Sequence, residues 1–170
     1  MFGIAEYNYT QTVELLEAVR EFCNEDVVKV STDNTDWCGK AYKSDLITLE
    51  SEHNVGFEVF DNEIIVYYFK DHTHFEDYSS DLEAGEPDYV ERAKEFLTRL
   101  FTEKIRIEKY YKKDVLVKDS YYFISPENEE YIGGTYWKLF AALFCKKSLH
   151  KEVYVWEFDK LTKRFELGQV

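Results

Sequence analysis

The sequence predicts an α+β fold in a single domain spanning residues 1–170: a mainly antiparallel sheet of about six to eight strands with two or three helices packed on it. Three observations lead there. Fourteen Tyr and 13 Phe stand against only 2 Pro and 7 Gly, so much of the chain favours strands, where rings and β-branched side chains pack well. Two segments carry apolar residues at the three-and-four spacing of a helix. Finally, the helices do not alternate with single strands, which disfavours a parallel βαβ sheet.

In chain order, Thr10 or Thr12 is placed to cap a first helix over about residues 10–24, with Val13, Leu16, Val19, Phe22 and Cys23 as its apolar stripe. Short β-prone runs follow at 27–31, 37–42 and 46–50, separated by polar residues such as Asp33-Asn34-Thr35-Asp36. Residues 55–60 and 63–70 read as a hairpin about the turn Asp61-Asn62, with Phe57, Val59, Ile65, Tyr67 and Phe69 in alternation. Residues 71–88 read as an acidic connection ending in Gly85-Glu86-Pro87. Pro87 suits the first turn of a second helix, at about 87–103, whose apolar face is Val90, Ala93, Phe96, Leu97, Leu100 and Phe101.

A second hairpin is expected from 105–111 and 115–124 around Lys112-Lys113-Asp114. Breaks come at Ser125-Pro126-Glu127-Asn128 and at Gly133-Gly134, and the apolar run from Tyr136 to Cys145 fits either helix or strand. A last strand sets Val153, Val155 and Glu157 on one face and Tyr154, Trp156 and Phe158 on the other, leaving a polar tail after about residue 160.

Composition narrows the function. No run approaches the ~18 consecutive apolar residues of a membrane span, and the opening MFGIAEYNYTQTVELL lacks the pattern of a secretory signal, so a cytoplasmic location is expected. Cys23, Cys38 and Cys145 are odd in number and widely spaced, which suits reduced thiols rather than a disulfide framework or a zinc knuckle.

The net charge of −13 opposes nucleic-acid binding, since phosphate contacts need clustered Lys and Arg. The charge is also uneven. Residues 1–91 hold 22 acidic side chains against 5 Lys and Arg, whereas residues 92–170 hold 12 against 16. A basic protein partner is the natural complement.

No phosphate-cradling, nucleophile-elbow or paired-cysteine motif is present, and Glu129-Glu130 lies in no foreseeable cleft that would fit it for acid–base work, so neither an enzyme nor a cofactor is expected. In Asp71-His72-Thr73-His74-Phe75-Glu76-Asp77, an extended backbone would point both imidazoles to one side, where they could share a metal and found a metal-dependent enzyme. The sequence supplies no further ligand to close the set, and a solvated loop without metal is the expectation.

The stretch from Asp71 to Glu91 contains neither Lys nor Arg, and its carboxylates are interleaved with rings. Asp71, Phe75, Glu76, Asp77, Tyr78, Asp81, Glu83, Glu86 and Asp88 are therefore the candidate partner-binding residues: rings anchor, carboxylates steer and pair with Arg. The plainer reading of such a run is a solvated face that aids solubility.

In size, acidity, aromatic content and element order, and in the segments GFEVFDNEIIVYYF, AKEFLTRLF and IRIEKYYKKDVLVKDSYYFI within residues 55–124, the chain resembles the small immunity proteins that neutralise bacterial polymorphic toxins, including those of contact-dependent inhibition systems. The resemblance implies a non-enzyme that binds one toxin domain, often a basic nuclease, and occludes its active site or substrate groove. It transfers no individual residue role. A module of a larger protein assembly is the other binding-type alternative.

Overall fold

The computed structural model describes residues 7–23, 29–35, 39, 41–77, 87–135 and 149–168. Among them the fold is α+β, with two helices and ten strands in two antiparallel five-stranded sheets. The expected single sheet of six to eight strands is thus replaced by two smaller ones, because β-strand pairing depends on partners that local patterns do not name. The chain divides into two compact units, residues 1–98 and 99–170, with the boundary inside the second helix.

In the first unit, α1 (Thr10–Val19) is followed by β1 (Lys29–Thr35), β2 (Ala41–Glu50), β3 (Val55–Val59), β4 (Glu63–Tyr68) and β5 (Asp71–Glu76), which pair in sequence order as a meander. The helix start departs from expectation. Neither threonine caps α1: Tyr9 is the N-cap residue without a side-chain hydrogen bond. Instead, the buried Asp45 carboxylate of β2 accepts the amides of Asn8 at 3.0 Å and Tyr9 at 3.1 Å and the Thr12 hydroxyl at 2.7 Å, which ties the helix entry to the sheet. Leu15, Leu16, Val19, Phe22 and Cys23 are buried, while Val13 is 46% exposed and leaves the predicted stripe.

The expected turn at Asp33-Asn34-Thr35 runs in β1 as far as Thr35, and the two expected runs 37–42 and 46–50 become one ten-residue β2. Residues 24–28 and 36–38, which include Cys38, lie outside the described residues. The β3–β4 hairpin forms as expected, but its inward residues on β4 are Ile64, Val66 and Tyr68, all fully buried, rather than Ile65 and Tyr67. Gly56 permits the close approach of β3 to β2, since a Cβ there would lie 2.2 Å from the Ile47 carbonyl oxygen.

The inner face of this sheet carries Ile47, Leu49, Val55, Phe57, Val59, Ile64, Val66, Tyr68 and Phe75. Helix α2 (Tyr89–Thr102) presents Val90, Ala93, Leu97, Leu100 and Phe101 as its buried face. The Phe96 ring lies 5.4 Å from Tyr68 and 5.6 Å from Phe75, and Lys94 joins Glu14 of α1 at 3.1 Å. Truncating a fully buried residue such as Leu97 to Ala costs about 2–5 kcal/mol by lost transfer energy and cavity formation.

In the second unit, β6 (Lys104–Lys112), β7 (Val115–Ile124), β8 (Glu129–Gly133), β9 (His150–Asp159) and β10 (Arg164–Leu167) pair in the order β10-β9-β6-β7-β8. The β6–β7 hairpin turns at Lys113 and Asp114 as the sequence predicts. Two strands were not expected. Residues 129–133 form β8, and the supposed polar tail returns as β10, because Phe165 is 4% exposed and packs with Phe158 and with Phe101 at the end of α2. The run from Tyr136 to Cys145 lies outside the described residues.

Four cations of this unit pair with its own acids. Lys104 meets Glu157 at 3.2 Å, Lys151 meets Glu108 at 2.7 Å, Arg99 meets Glu103 and Glu130 at 2.6 Å each, and Arg106 pairs with Glu129. Arg106 also lies over Tyr122 at 4.6 Å, and Lys118 and Lys151 lie 5.5 and 5.8 Å from the Tyr110 ring. Among the described residues, no helix is long and apolar enough to cross a membrane.

Candidate functional site

The expected acidic loop begins as a strand. Asp71–Glu76 is β5, the last strand of its sheet, paired with β4 in the register Glu63↔Glu76, Ile65↔His74 and Tyr67↔His72. Its polar side chains hid a strand because they alternate with Thr73 and Phe75, and only Phe75 is apolar. Side-chain alternation then divides the predicted site residues between two faces. His72, His74 and Glu76 are exposed on one face, while Phe75 turns to the other and is buried against Phe96.

Each remaining candidate has a definite place or none. The Asp71 carboxylate accepts its neighbour's His72 amide at 2.9 Å. Asp88 caps α2 by accepting the Glu91 amide at 2.9 Å, a structural use for that carboxylate. Glu76 and Asp77 lie at the exposed end of β5. Tyr78, Asp81, Glu83 and Glu86 lie outside the described residues.

Sequence spacing could not show what joins Glu76 and Asp77. The Asp77 amide donates to the Asn62 carbonyl at 2.9 Å, so the end of β5 lies against the β3–β4 turn and brings Asp61 and Glu63 to the same end of the sheet. Four carboxylates thus gather there: Asp61, Glu63, Glu76 and Asp77. The half-buried rings of this end are Tyr9, Tyr42 and Phe60. Tyr42 and Phe60 lie 5.6 Å apart, and the Tyr9 hydroxyl donates to the Lys43 carbonyl at 3.0 Å. Burial, followed by the negative charges of Asp61 and Asp45, raises the Tyr9 pKa, which keeps its phenol protonated as a donor. Arg92 donates to the Glu76 carbonyl at 3.1 Å and holds the strand end in place.

Behind this end, the outer face of the sheet is fixed by Glu58, 9% exposed, which accepts the Ser44 hydroxyl at 2.6 Å and the Tyr67 hydroxyl at 2.9 Å. Burial first, then the bond to Glu58, raises the Tyr67 pKa. His74 shares a hydrogen between its Nδ1 and Glu63 Oε1 at 2.5 Å, and its ring lies 4.9 Å from that of His72. The sequence-level inference that these two imidazoles share a side therefore matches the geometry.

Not every acid of the first unit is available at the surface. Asp45, Glu50 and Glu58 are buried within internal hydrogen-bond sets, Glu50 accepting the amides of Glu52 at 3.0 Å and His53 at 2.7 Å. The surface at the β3–β4 turn sets carboxylates beside half-buried rings, an arrangement able to attract a cation and to bury apolar area.

Comparison of the chain with protein-family models, curated proteins and solved structures finds no match.

Proposed function

We propose that this protein is an immunity-type binding protein, not an enzyme, that neutralises a basic, nuclease-like bacterial toxin domain by covering its active site. The observation that supports this reading is the gathering of Asp61, Glu63, Glu76 and Asp77 at one end of a sheet beside Tyr9, Tyr42 and Phe60. A nuclease groove is lined with Lys and Arg for phosphate, and such a carboxylate set competes for the same cations while the rings supply anchors. The pairing of Lys104, Lys151, Arg99 and Arg106 with acids of the second unit leaves these cations engaged locally.

The reading is tested in cells that express the domain encoded by the adjacent upstream gene. Wild-type protein restores growth, and the triple reversal Asp61→Lys, Glu76→Lys, Asp77→Lys does not, although it accumulates to the same level. Equal rescue by the triple variant, or an upstream domain that does not inhibit growth, contradicts the proposal.

A further inference from the structure

We propose that Glu63, His74 and Glu76 form a binding site for a divalent transition-metal ion of the zinc class, with His72 as the fourth ligand. This goes beyond the docking reading and does not rest on it. The sequence brings the two histidines to one side of a strand but offers no partner. The fold supplies one from β4, 11 residues before His74.

Ligand atoms of Glu63, His74 and Glu76 lie within 4.8 Å of one another. A tetrahedral ion with bonds of about 2.0–2.1 Å needs donors roughly 3.4 Å apart. Rotation of exposed side chains closes that gap, and His74 and Glu63 are 45% and 27% exposed.

The backbone explains why these groups converge. The bond from the Asp77 amide to Asn62 marks that position as a hydrogen-bonded pair, so by alternation Glu63↔Glu76, Ile65↔His74 and Tyr67↔His72 are the non-hydrogen-bonded pairs. Opposed side chains approach most closely at such pairs. Two carboxylates directly opposite each other repel, and a dication bound between them removes that cost.

The donor set also indicates the class of ion. Imidazole nitrogen with carboxylate oxygen suits Zn(II), Co(II) or Ni(II), whereas Mg(II) prefers an oxygen shell with several waters.

The test titrates the full chain with Zn(II) in competition with a chromophoric chelator, and with Co(II) to read the visible bands of tetrahedral coordination. One Zn(II) per chain is expected. His74→Ala and Glu76→Gln each weaken it by about tenfold or more and abolish the cobalt bands, while excess Mg(II) does not compete. His150→Ala, which alters the exposed His150–Glu152 pair on β9, leaves binding unchanged. Absence of saturable binding overturns the proposal, as does equal affinity in His74→Ala and wild type, or loss of binding on His150→Ala. Because His74→Ala removes no carboxylate, failure here leaves the docking reading standing.

Discussion

Thr12 on α1 donates its hydroxyl to the Asp45 carboxylate on β2 at 2.7 Å, with both residues fully buried. Asp45 also holds the amides of Asn8 and Tyr9, so one side chain both seats the helix and satisfies its entry. Asp45→Ala leaves the buried Thr12 hydroxyl and the part-buried amides of Asn8 and Tyr9 without this acceptor and is expected to cost about 3 kcal/mol. Urea unfolding followed by circular dichroism measures this. Thr12→Ser, which keeps the hydroxyl, should retain more stability than Thr12→Val.

Two buried serines should respond in opposite ways. Ser44 donates to Glu58 at 2.6 Å, and Ser44→Ala removes a bond to a buried carboxylate, costing about 1.5–3 kcal/mol. Ser120 is fully buried and its hydroxyl has no hydrogen-bond partner among the described residues. Ser120→Ala removes an unsatisfied polar atom and should be neutral or stabilising by up to about 1 kcal/mol. Chemical denaturation of the two variants side by side checks the contrast.

Glu108 supplies a pH dependence. Burial alone would raise its pKa, but bonds from Lys151 at 2.7 Å and Tyr110 at 2.6 Å, with the nearby Arg106, outweigh burial and hold it below its ordinary value of 4.5. With the folded value depressed, the unfolded chain takes up the proton first as pH falls. The stabilisation is fully present above about pH 4.5 and is lost as pH falls through the lower folded value. The slope of unfolding free energy against pH should therefore flatten in that acid window in Glu108→Gln.

The helices and both long hairpins were legible because periodicity and turn residues mark them locally. The inner face of β4 was not, since Ile64, Val66 and Tyr68 compete with Ile65 and Tyr67 as an apolar set, and only the register with β3 decides between them. β5 and β10 were missed because short strands at the sides of sheets carry few apolar residues: Phe75 in one, Phe165 and Leu167 in the other.

Likewise, the site was half legible. His72 and His74 share a face by alternation alone, and Glu76 and Asp77 were named from composition. Asp61 and Glu63 escaped notice because they belong to a turn and strand that join β5 only through pairing. Asp88, an exposed acid counted toward the surface charge, also serves as a helix cap, which its composition alone did not reveal.

In the proposed complex, Asp61, Glu76 and Asp77 steer a basic partner onto this end of the sheet. Stopped-flow association with the purified upstream-encoded domain, measured across a salt series, reads this steering. The wild-type association rate is expected to fall steeply with ionic strength, and that of the triple Lys variant to be at least about tenfold lower and nearly flat with salt. Equal rates and equal salt slopes for the two proteins would contradict it.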